Sequence, residues 1–180
     1  MVLHKNIKLK DSPIYGGAHQ GLYAIAPISK GEVLWQQEPH EKQLWFDLET
    51  INSWEKAKRE RFMSRAYIVQ EGIYSGIPDS SHDDAECMNH SCEPNCIWYG
   101  NDEEMIAGRD IAEGEEITYD YATSEVEGSF HLPMKCLCST PSCRGMIEPT
   151  DYLKPWYMEK YGINGCTSVI CNRLSKLQSK

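Results

Sequence analysis

The sequence predicts a mainly β fold with a small helical contribution. Residues 21–35 and 105–121 are rich in β-branched and aromatic residues and each contains a turn, which is typical of short strands joined by tight connections. Between them, residues 50–70 carry apolar residues at the spacing of an amphipathic helix. Strand and helix patterns do not alternate in the way that a doubly wound parallel sheet requires.

The two β segments resemble each other in sequence. Residues 21–35 predict a strand, a turn containing Pro27 and Gly31, and a second strand. Residues 105–121 repeat this scheme, and the Ile-x-x-Gly-Glu pattern at 111–115 matches that at 28–32. The repeat is short enough to arise by chance, so it is a hypothesis about the fold.

The helical segment and the region after it differ in composition. Ile51, Phe62 and Val69 lie on one side of a helical wheel drawn over residues 50–70. Residues 72–101 are rich in Gly, Pro, Ser, Asp and Asn, which predicts a long loop without regular structure. Loops of this length are usually functional.

Length and charge exclude several classes of protein. The 180 residues fit one domain, or one domain with a small appendage. The 18 Lys and Arg against 27 Asp and Glu give a net charge of −9, which disfavours direct nucleic acid binding and favours a basic protein or peptide partner. No stretch approaches the roughly 18 apolar residues of a membrane span, and residues 1–12 lack the apolar run of a secretory signal. We therefore expect an intracellular protein.

Eight cysteines are the unusual feature of the composition. In an intracellular protein, metal binding or free thiols are favoured over disulfides. Cys136, Cys138 and Cys143 place three thiols close enough to converge on one zinc ion, with Cys92 or Cys96 as the fourth tetrahedral ligand. Such a closed site would be structural. Buried free thiols and disulfides are the alternatives.

Two further segments carry candidate chemistry. Residues 89–96 read Asn-His-Ser-Cys-Glu-Pro-Asn-Cys and are dense in side chains that hydrogen-bond to backbone. Residues 114–121 end a predicted strand with Tyr119 and Tyr121, which two-residue spacing places on one face. Taken alone, each tyrosine is more typical of a packed core than of a reaction site.

Together, the three segments resemble a SET-domain protein lysine methyltransferase with a post-SET zinc tail, and the resemblance covers residues 16–145. It implies a SET fold of small β-sheets around a knot-like crossing. The implied organisation is a SET domain over 1–131 with a helical insertion at about 45–75, a post-SET zinc segment over 132–147 and an aromatic C-terminal extension over 148–180.

The resemblance also implies roles for individual residues. Tyr121 matches the catalytic tyrosine, and Tyr119 matches the position that tunes how many methyl groups fit, so a tyrosine there suggests mono- or dimethylation. The positions that match contacts to S-adenosylmethionine are Gln20, Gly21, Leu22, Asn89, His90 and Leu137. The implied zinc ligands are Cys92, Cys136, Cys138 and Cys143, which leaves Cys96 as a spare thiol.

The function expected from the resemblance is S-adenosylmethionine-dependent protein-lysine N-methylation of a histone tail. A histone substrate favours the nucleus, and the cytoplasm is the alternative location. One alternative is a lysine methyltransferase that acts on a non-histone protein. Another is a catalytically weak SET-fold interaction module, because His19 stands where the family usually has the first glycine of Gly-x-Gly, and residues 37–40 replace a Tyr-x-Gly signature.

Overall fold

A computed structural model describes residues 2–13, 19–37, 44–78, 83–100, 102–129, 132–163 and 165–179. These residues form short strands and few helices, which confirms the predicted mainly β class. The strands are β1 Val2–Leu3, β2 Ile7–Asp11, β3 Gln20–Ala24, β4 Val33–Gln36, β5 Trp45–Asp47, β6 Tyr67–Gln70, β7 Ile73–Ser75, β8 Asn89–His90, β9 Cys96–Tyr99, β10 Glu104–Ala107, β11 Glu116–Tyr119, β12 Met134–Lys135 and β13 Met146–Ile147. The α-helices are α1 Leu48–Ser53, α2 Lys56–Met63, α3 Pro155–Tyr161 and α4 Ser168–Gln178.

The strands form four small sheets. Two have four strands, in the orders β1-β4-β10-β9 and β2-β3-β11-β8, and the others are β5-β7-β6 and β12-β13. The two larger sheets share one apolar core, in which Leu22 and Ile117 from one sheet meet Leu34 and Met105 from the other. The residues predicted as strands in 21–35 and 105–121 supply β3, β4, β10 and β11 of these sheets.

The repeated Ile-x-x-Gly-Glu pattern corresponds to two turns that pair with each other. Ile28 and Ile111 exchange backbone hydrogen bonds of 3.0 and 2.9 Å. The amide of Gly31 donates to the carbonyl of Ala107, and the amide of Gly114 donates to that of Ala24, both at 2.8 Å. Both glycines have positive φ angles, 87° and 84°, which a side chain would strain. The repeat is therefore a local two-fold feature of the fold.

The prediction of one helix over residues 50–70 is wrong in its extent. Helix α1 begins where the Asp47 carboxylate accepts a hydrogen bond from the Thr50 amide at 2.7 Å, and it ends before Trp54, which is extended. Helix α2 ends at Met63, and residues 67–70 form β6 instead. Tyr, Ile and Val in sequence favour a strand, and β7 supplies the partner for it.

The predicted long loop contains more regular structure than expected, namely β7, a 3-10 helix at Asp84–Cys87, β8 and β9. Strand β8 pairs in parallel with the end of β11. Beyond it, the buried Asn95 side chain accepts from the Thr118 amide at 3.0 Å and donates to the Glu116 carbonyl at 2.8 Å. Strand β11 is thus held to this loop by side-chain as well as backbone bonds, at the place where the resemblance implies a crossing.

A second apolar core joins the insertion to the C-terminal residues. Phe62 and Tyr74 of the insertion pack in one cluster with Val126, Tyr157 of α3 and Ile170 of α4. In the described part of the chain, none of the helices combines the length and apolar character that a membrane span needs.

Candidate active site and metal centre

A cavity of about 520 Å³ opens between the two larger sheets, the insertion and the 3-10 helix at Asp84–Cys87. This volume lies within the range of roughly 300–1,000 Å³ that is usual for small-molecule sites. Five of the residues predicted for catalysis or cofactor binding line it, although they come from three separate segments of the chain. These five are Gln20, Asn89, His90, Tyr119 and Tyr121.

The two tyrosines lie side by side on the cavity wall, with ring centroids 4.9 Å apart. Tyr119 ends β11, whereas Tyr121 begins a 3-10 helix at Tyr121–Thr123. The Tyr121 hydroxyl donates to the Met88 carbonyl at 3.2 Å, and the Tyr119 hydroxyl accepts from Ser124 Oγ at 3.4 Å. Burial raises the pKa of Tyr119 well above its ordinary value, so its hydroxyl stays protonated at neutral pH.

One edge of the cavity is formed where the Asn89 side chain of β8 reaches the start of β3, beside Glu116 of β11. The Asn89 side-chain amide donates to the Gln20 carbonyl at 3.0 Å and to Glu116 Oε1 at 2.7 Å. A Cβ atom on Gly21 would lie 2.9 Å from Asn89 Nδ2 and nearer still to Glu116 Oε1. Glycine therefore leaves the space that the Asn89 and Glu116 side chains occupy beside β3.

Three residues predicted for the cofactor are not among the described residues that line the cavity. Gly21 lies in β3 next to Gln20, where the Asn89 and Glu116 side chains pack against it. The Leu22 side chain is fully buried in the core between the larger sheets, so only its backbone is available to a ligand. Leu137 is 37% exposed and lies beside the cysteine cluster.

The His90 side chain connects the cavity wall to the cysteine cluster. Its Nδ1 atom accepts a hydrogen bond from the Tyr121 amide at 3.1 Å, and its Nε2 atom lies 3.4 Å from Cys92 Sγ. Because Nδ1 is an acceptor, Nε2 carries the proton of the neutral ring. Burial lowers the pKa of His90 to about 4, despite Asp120 nearby, so the ring is neutral at neutral pH.

Asp120, between the two tyrosines, is a buried carboxylate that sequence reasoning missed. Both of its oxygens accept hydrogen bonds from the Arg144 guanidinium at 2.7 Å. Oδ1 also accepts from the Ala122 amide at 3.0 Å, and Oδ2 accepts from the Tyr161 hydroxyl at 2.6 Å. Although burial alone would raise it, the bonds and charge of Arg144 lower the pKa of Asp120, so it is ionised at neutral pH. The position of Arg144 directly after Cys143 was the available signal.

Four cysteine sulfurs converge next to this carboxylate. The Sγ atoms of Cys92, Cys136, Cys138 and Cys143 all lie within 4.8 Å of one another. The Cys92 and Cys136 sulfurs are 3.7 Å apart, close to the edge of about 3.8 Å that follows for a zinc tetrahedron from a Zn–S distance of 2.3 Å. Cys96, the alternative fourth thiol, is buried in the core between the larger sheets instead. The donor set therefore fits one structural zinc ion.

Two tryptophans also line the cavity, and the sequence pattern did not assign them. Trp35 of β4 meets Trp98 of β9 edge to face, with centroids 5.7 Å apart, and Trp98 meets Tyr119 at 6.4 Å. These rings form part of the cavity wall. Residues 38–40, which belong to the segment that replaces the Tyr-x-Gly signature, lie outside the described residues.

Comparison with known proteins agrees with this geometry. A family model of the SET domain matches residues 19–122. The chain is 41% identical over 73 residues to histone-lysine N-methyltransferase ATX2 of Arabidopsis thaliana, which covers 37% of this chain and 6% of that protein. It is 47% identical over 70 residues to histone-lysine N-methyltransferase ash1 of Drosophila melanogaster, covering 36% of this chain and 3% of that protein.

A longer match reaches beyond the central motifs. The chain is 29% identical over 154 residues to the H3 lysine-4 specific histone-lysine N-methyltransferase of Yarrowia lipolytica, which covers 80% of this chain. The matches span only 3 to 12% of the length of these three relatives. The family model, however, covers more than half of the present chain, from His19 to Ala122. The chain therefore belongs to the SET domain family.

Proposed function

We propose that the protein is an S-adenosylmethionine-dependent protein-lysine N-methyltransferase that acts on histone tails. The observation that carries this proposal is the pair of tyrosines, Tyr119 and Tyr121, on the wall of a cavity whose edge is formed by Gln20, Asn89 and His90. The relatives named as histone-lysine N-methyltransferases support this activity and this substrate class.

The residues at the cavity edge fit the methyl donor. S-adenosylmethionine supplies an electrophilic methyl group on a sulfonium centre when it is bound. The backbone of residues 20–22 and of Asn89 and His90 would hold it, because the Asn89 amide and the His90 ring already have partners within the protein. Leu137, which is partly exposed, would cover an apolar part of the donor.

The chain's own groups must accept a neutral lysine amine and align it. Deprotonation of lysine, with an ordinary pKa of about 10.4, costs about 4.6 kcal/mol at pH 7. His90 is not available as the base, because its Nδ1 lone pair is used by the Tyr121 amide. The Tyr121 hydroxyl is fixed by the Met88 carbonyl and keeps oxygen lone pairs for an N–H of the amine. It would thereby direct the nitrogen lone pair, and correct alignment is the main requirement of such a transfer.

We assign the four-cysteine cluster to structural zinc, within a post-SET segment over 132–147 that follows a SET domain over 1–131. A closed site with four thiolates has no open position for a substrate, so the ion would contribute to folding. The Sγ geometry and the burial of Cys92 and Cys136 support this assignment.

The proposed partner is a basic, lysine-containing segment of a histone. The net charge of −9 favours association with such a segment and disfavours direct contact with nucleic acid. A histone substrate places the protein in the nucleus.

The proposal is tested with the Tyr121→Phe variant and radiolabelled S-adenosylmethionine, using core histones and a lysine peptide array. We expect methyl incorporation to fall by about 100-fold, because an aligning hydroxyl is removed from the reaction site. Tyr74→Phe is the matched control, since the Tyr74 hydroxyl contacts the Gly128 carbonyl at 3.5 Å and does not line the cavity.

Three outcomes distinguish the alternatives. Equal incorporation by Tyr121→Phe and the parent protein would remove Tyr121 from catalysis. Failure of the parent protein to bind S-adenosylmethionine in a calorimetric titration would favour the interaction module. Methylation of array peptides from non-histone proteins alone would support the other substrate class.

A further inference from the structure

The C-terminal extension contacts residues next to the candidate active site, although it lies outside the residues that match the SET domain model. Three side chains of α3 contact the groups around Asp120. The Trp156 ring lies 4.6 Å from the Arg144 guanidinium carbon. Lys160 Nζ donates to the Cys92 carbonyl at 2.5 Å, and the Tyr161 hydroxyl donates to Asp120 Oδ2 at 2.6 Å.

The position of Tyr161 is fixed from several sides. Helix α3 starts with Pro155 at its first position and ends at Tyr161, followed by Gly162 with a φ of 62°. The Tyr161 ring packs against the fully buried Tyr157 ring, with centroids 5.3 Å apart. Burial raises the pKa of Tyr161 well above its ordinary value, so its hydroxyl stays a hydrogen-bond donor at neutral pH.

Asp120 connects the Tyr161 hydroxyl to the start of the 3-10 helix that carries Tyr121. Its Oδ1 atom accepts from the Ala122 amide and so caps the 3-10 helix that begins with Tyr121. Arg144 holds both carboxylate oxygens, and the Tyr161 hydroxyl of the C-terminal extension donates to Oδ2, with Lys160 Nζ 3.7 Å from the same oxygen. Without the phenol hydroxyl, Oδ2 would lose its 2.6 Å hydrogen bond, and the carboxylate could shift within its remaining contacts to Arg144 and Lys160.

We propose that Tyr161 is a positioning residue for methyl transfer, which orients Tyr121 by holding the Asp120 carboxylate between the two active-site tyrosines. This inference rests on the proposed function. It assigns the C-terminal extension a part in the reaction, through a group that touches neither the methyl donor nor the lysine.

The test compares Tyr161→Phe with Tyr152→Phe in the full chain. Both tyrosines belong to the extension, and both donate a hydrogen bond to a carboxylate, since the Tyr152 hydroxyl contacts Glu127 Oε2 at 3.0 Å. The Tyr152 hydroxyl also accepts from Arg173 at 3.2 Å. Its described bonds thus go to Glu127 and Arg173 and not to Asp120, so its variant reports the general cost of losing a buried phenol hydroxyl. For each protein, kcat, the KM of a lysine peptide, the Kd of S-adenosylmethionine, zinc content and Tm are measured.

We expect Tyr161→Phe to lower kcat by about ten-fold or more, because small misplacements of aligning groups are costly. The KM of the peptide, the Kd of the methyl donor and the zinc content should stay within about two-fold, since the groups that bind them are intact. Tyr152→Phe should lower Tm with kcat unchanged, because its hydroxyl contacts Glu127 and Arg173 and not Asp120. Equal kcat values for the two variants, or a parallel loss of zinc and kcat in Tyr161→Phe, would overturn the inference.

Amide hydrogen exchange separates this inference from the proposed function. We expect faster exchange of the amides of Tyr121 and Ala122 in Tyr161→Phe, and no change there in Tyr152→Phe, because Asp120 caps this helix. A parent protein without methyltransferase activity would contradict the proposed function alone. Unchanged exchange at Tyr121 and Ala122 in Tyr161→Phe would contradict the positioning role, whatever the activity of the parent.

Discussion

At the scale of single residues, Tyr119 and Tyr121 have different surroundings despite their shared wall. The Tyr121 amide and hydroxyl are both held, by His90 and by the Met88 carbonyl. The Tyr119 hydroxyl has only the longer contact to Ser124, at 3.4 Å, among the hydrogen bonds described for it. A change at Tyr121 therefore affects alignment, whereas a change at Tyr119 affects the space and polarity of the cavity.

We predict that Tyr119→Phe shifts the products toward higher methylation states. Loss of the hydroxyl removes a polar group that can retain a water molecule, which leaves room for a further methyl group on the amine. The free energy of unfolding should change by less than about 1 kcal/mol, because one long hydrogen bond is lost. Mass spectrometry of a methylated peptide at several times measures the product distribution.

The Tyr74→Phe variant serves again as the control, because it removes a hydroxyl that does not line the cavity. An unchanged ratio of mono-, di- and trimethylated product in Tyr119→Phe would assign product control to other cavity residues, with Trp98 as the next candidate.

The residues of the site differ in how far sequence reasoning could find them. Tyr119, Tyr121, Asn89 and His90 lie in dense local motifs, so a single sequence contains their signal. Asp120 lies in one of the same motifs, but its partners Arg144 and Tyr161 come from segments 24 and 41 residues further along the chain. Such partnerships depend on tertiary packing, which residue spacing does not encode.

At the scale of elements, strands with a strong local sequence pattern can be predicted. Strands that form only because a neighbouring strand pairs with them cannot. β3, β4, β10 and β11 follow from apolar runs and turn residues. β8 contains only Asn89 and His90 and exists because β11 lies beside it. The apolar residues at 67–70 continue the helical spacing of Ile51 and Phe62, which predicts a helix, but their β-branched composition favours the strand that forms.

The side chains packed beside Gly21 of β3 yield a prediction at this scale. Gly21→Ala should displace the Asn89 and Glu116 side chains, because its Cβ would lie 2.9 Å from Asn89 Nδ2 and nearer still to Glu116 Oε1. We expect the free energy of unfolding to fall by about 1–3 kcal/mol, as for overpacking elsewhere. The affinity for S-adenosylmethionine should fall by about ten-fold, since the Asn89 bonds that hold this edge are disturbed.

Gly31→Ala provides the control for this change. It faces open space but has a φ of 87°, so it should cost stability through backbone strain without altering the cavity edge. Thermal unfolding and calorimetric titration measure both quantities. An unchanged affinity in Gly21→Ala would show that the donor does not use this edge.

At the scale of the whole molecule, the cysteine cluster connects the cavity wall formed by the two tyrosines to the C-terminal residues. Tyr121 packs against the small apolar cluster that contains Cys92, Cys136 and Ile147. Cys92 also accepts a hydrogen bond from the Arg144 amide at 3.3 Å, and Arg144 holds Asp120. Loss of the proposed zinc would therefore displace both Tyr121 on the cavity wall and the C-terminal residues that contact Arg144 and Asp120.

We predict that the Cys138→Ser variant loses the metal and most of its activity. The purified parent should contain about one zinc per chain by elemental analysis, and the variant close to none, because three thiolates bind far more weakly than four. Removal of the ion takes away the coordinate bonds that join Cys136 and Cys143 to Cys92, so residues 132–147 should separate from the Cys92 loop. Limited proteolysis should then cut first in this segment, and Tm should fall.

Cys171→Ser separates this effect from the general loss of a thiol. Cys171 contacts Cys166 at 3.1 Å, far along the chain from the four-sulfur cluster, and belongs to the second apolar core. Its variant should retain one zinc per chain and its activity. If Cys138→Ser also retained one zinc, the four sulfurs would not be the metal site, and the close contact of Cys92 with His90 and Arg144 would then have to position Tyr121 without a metal ion.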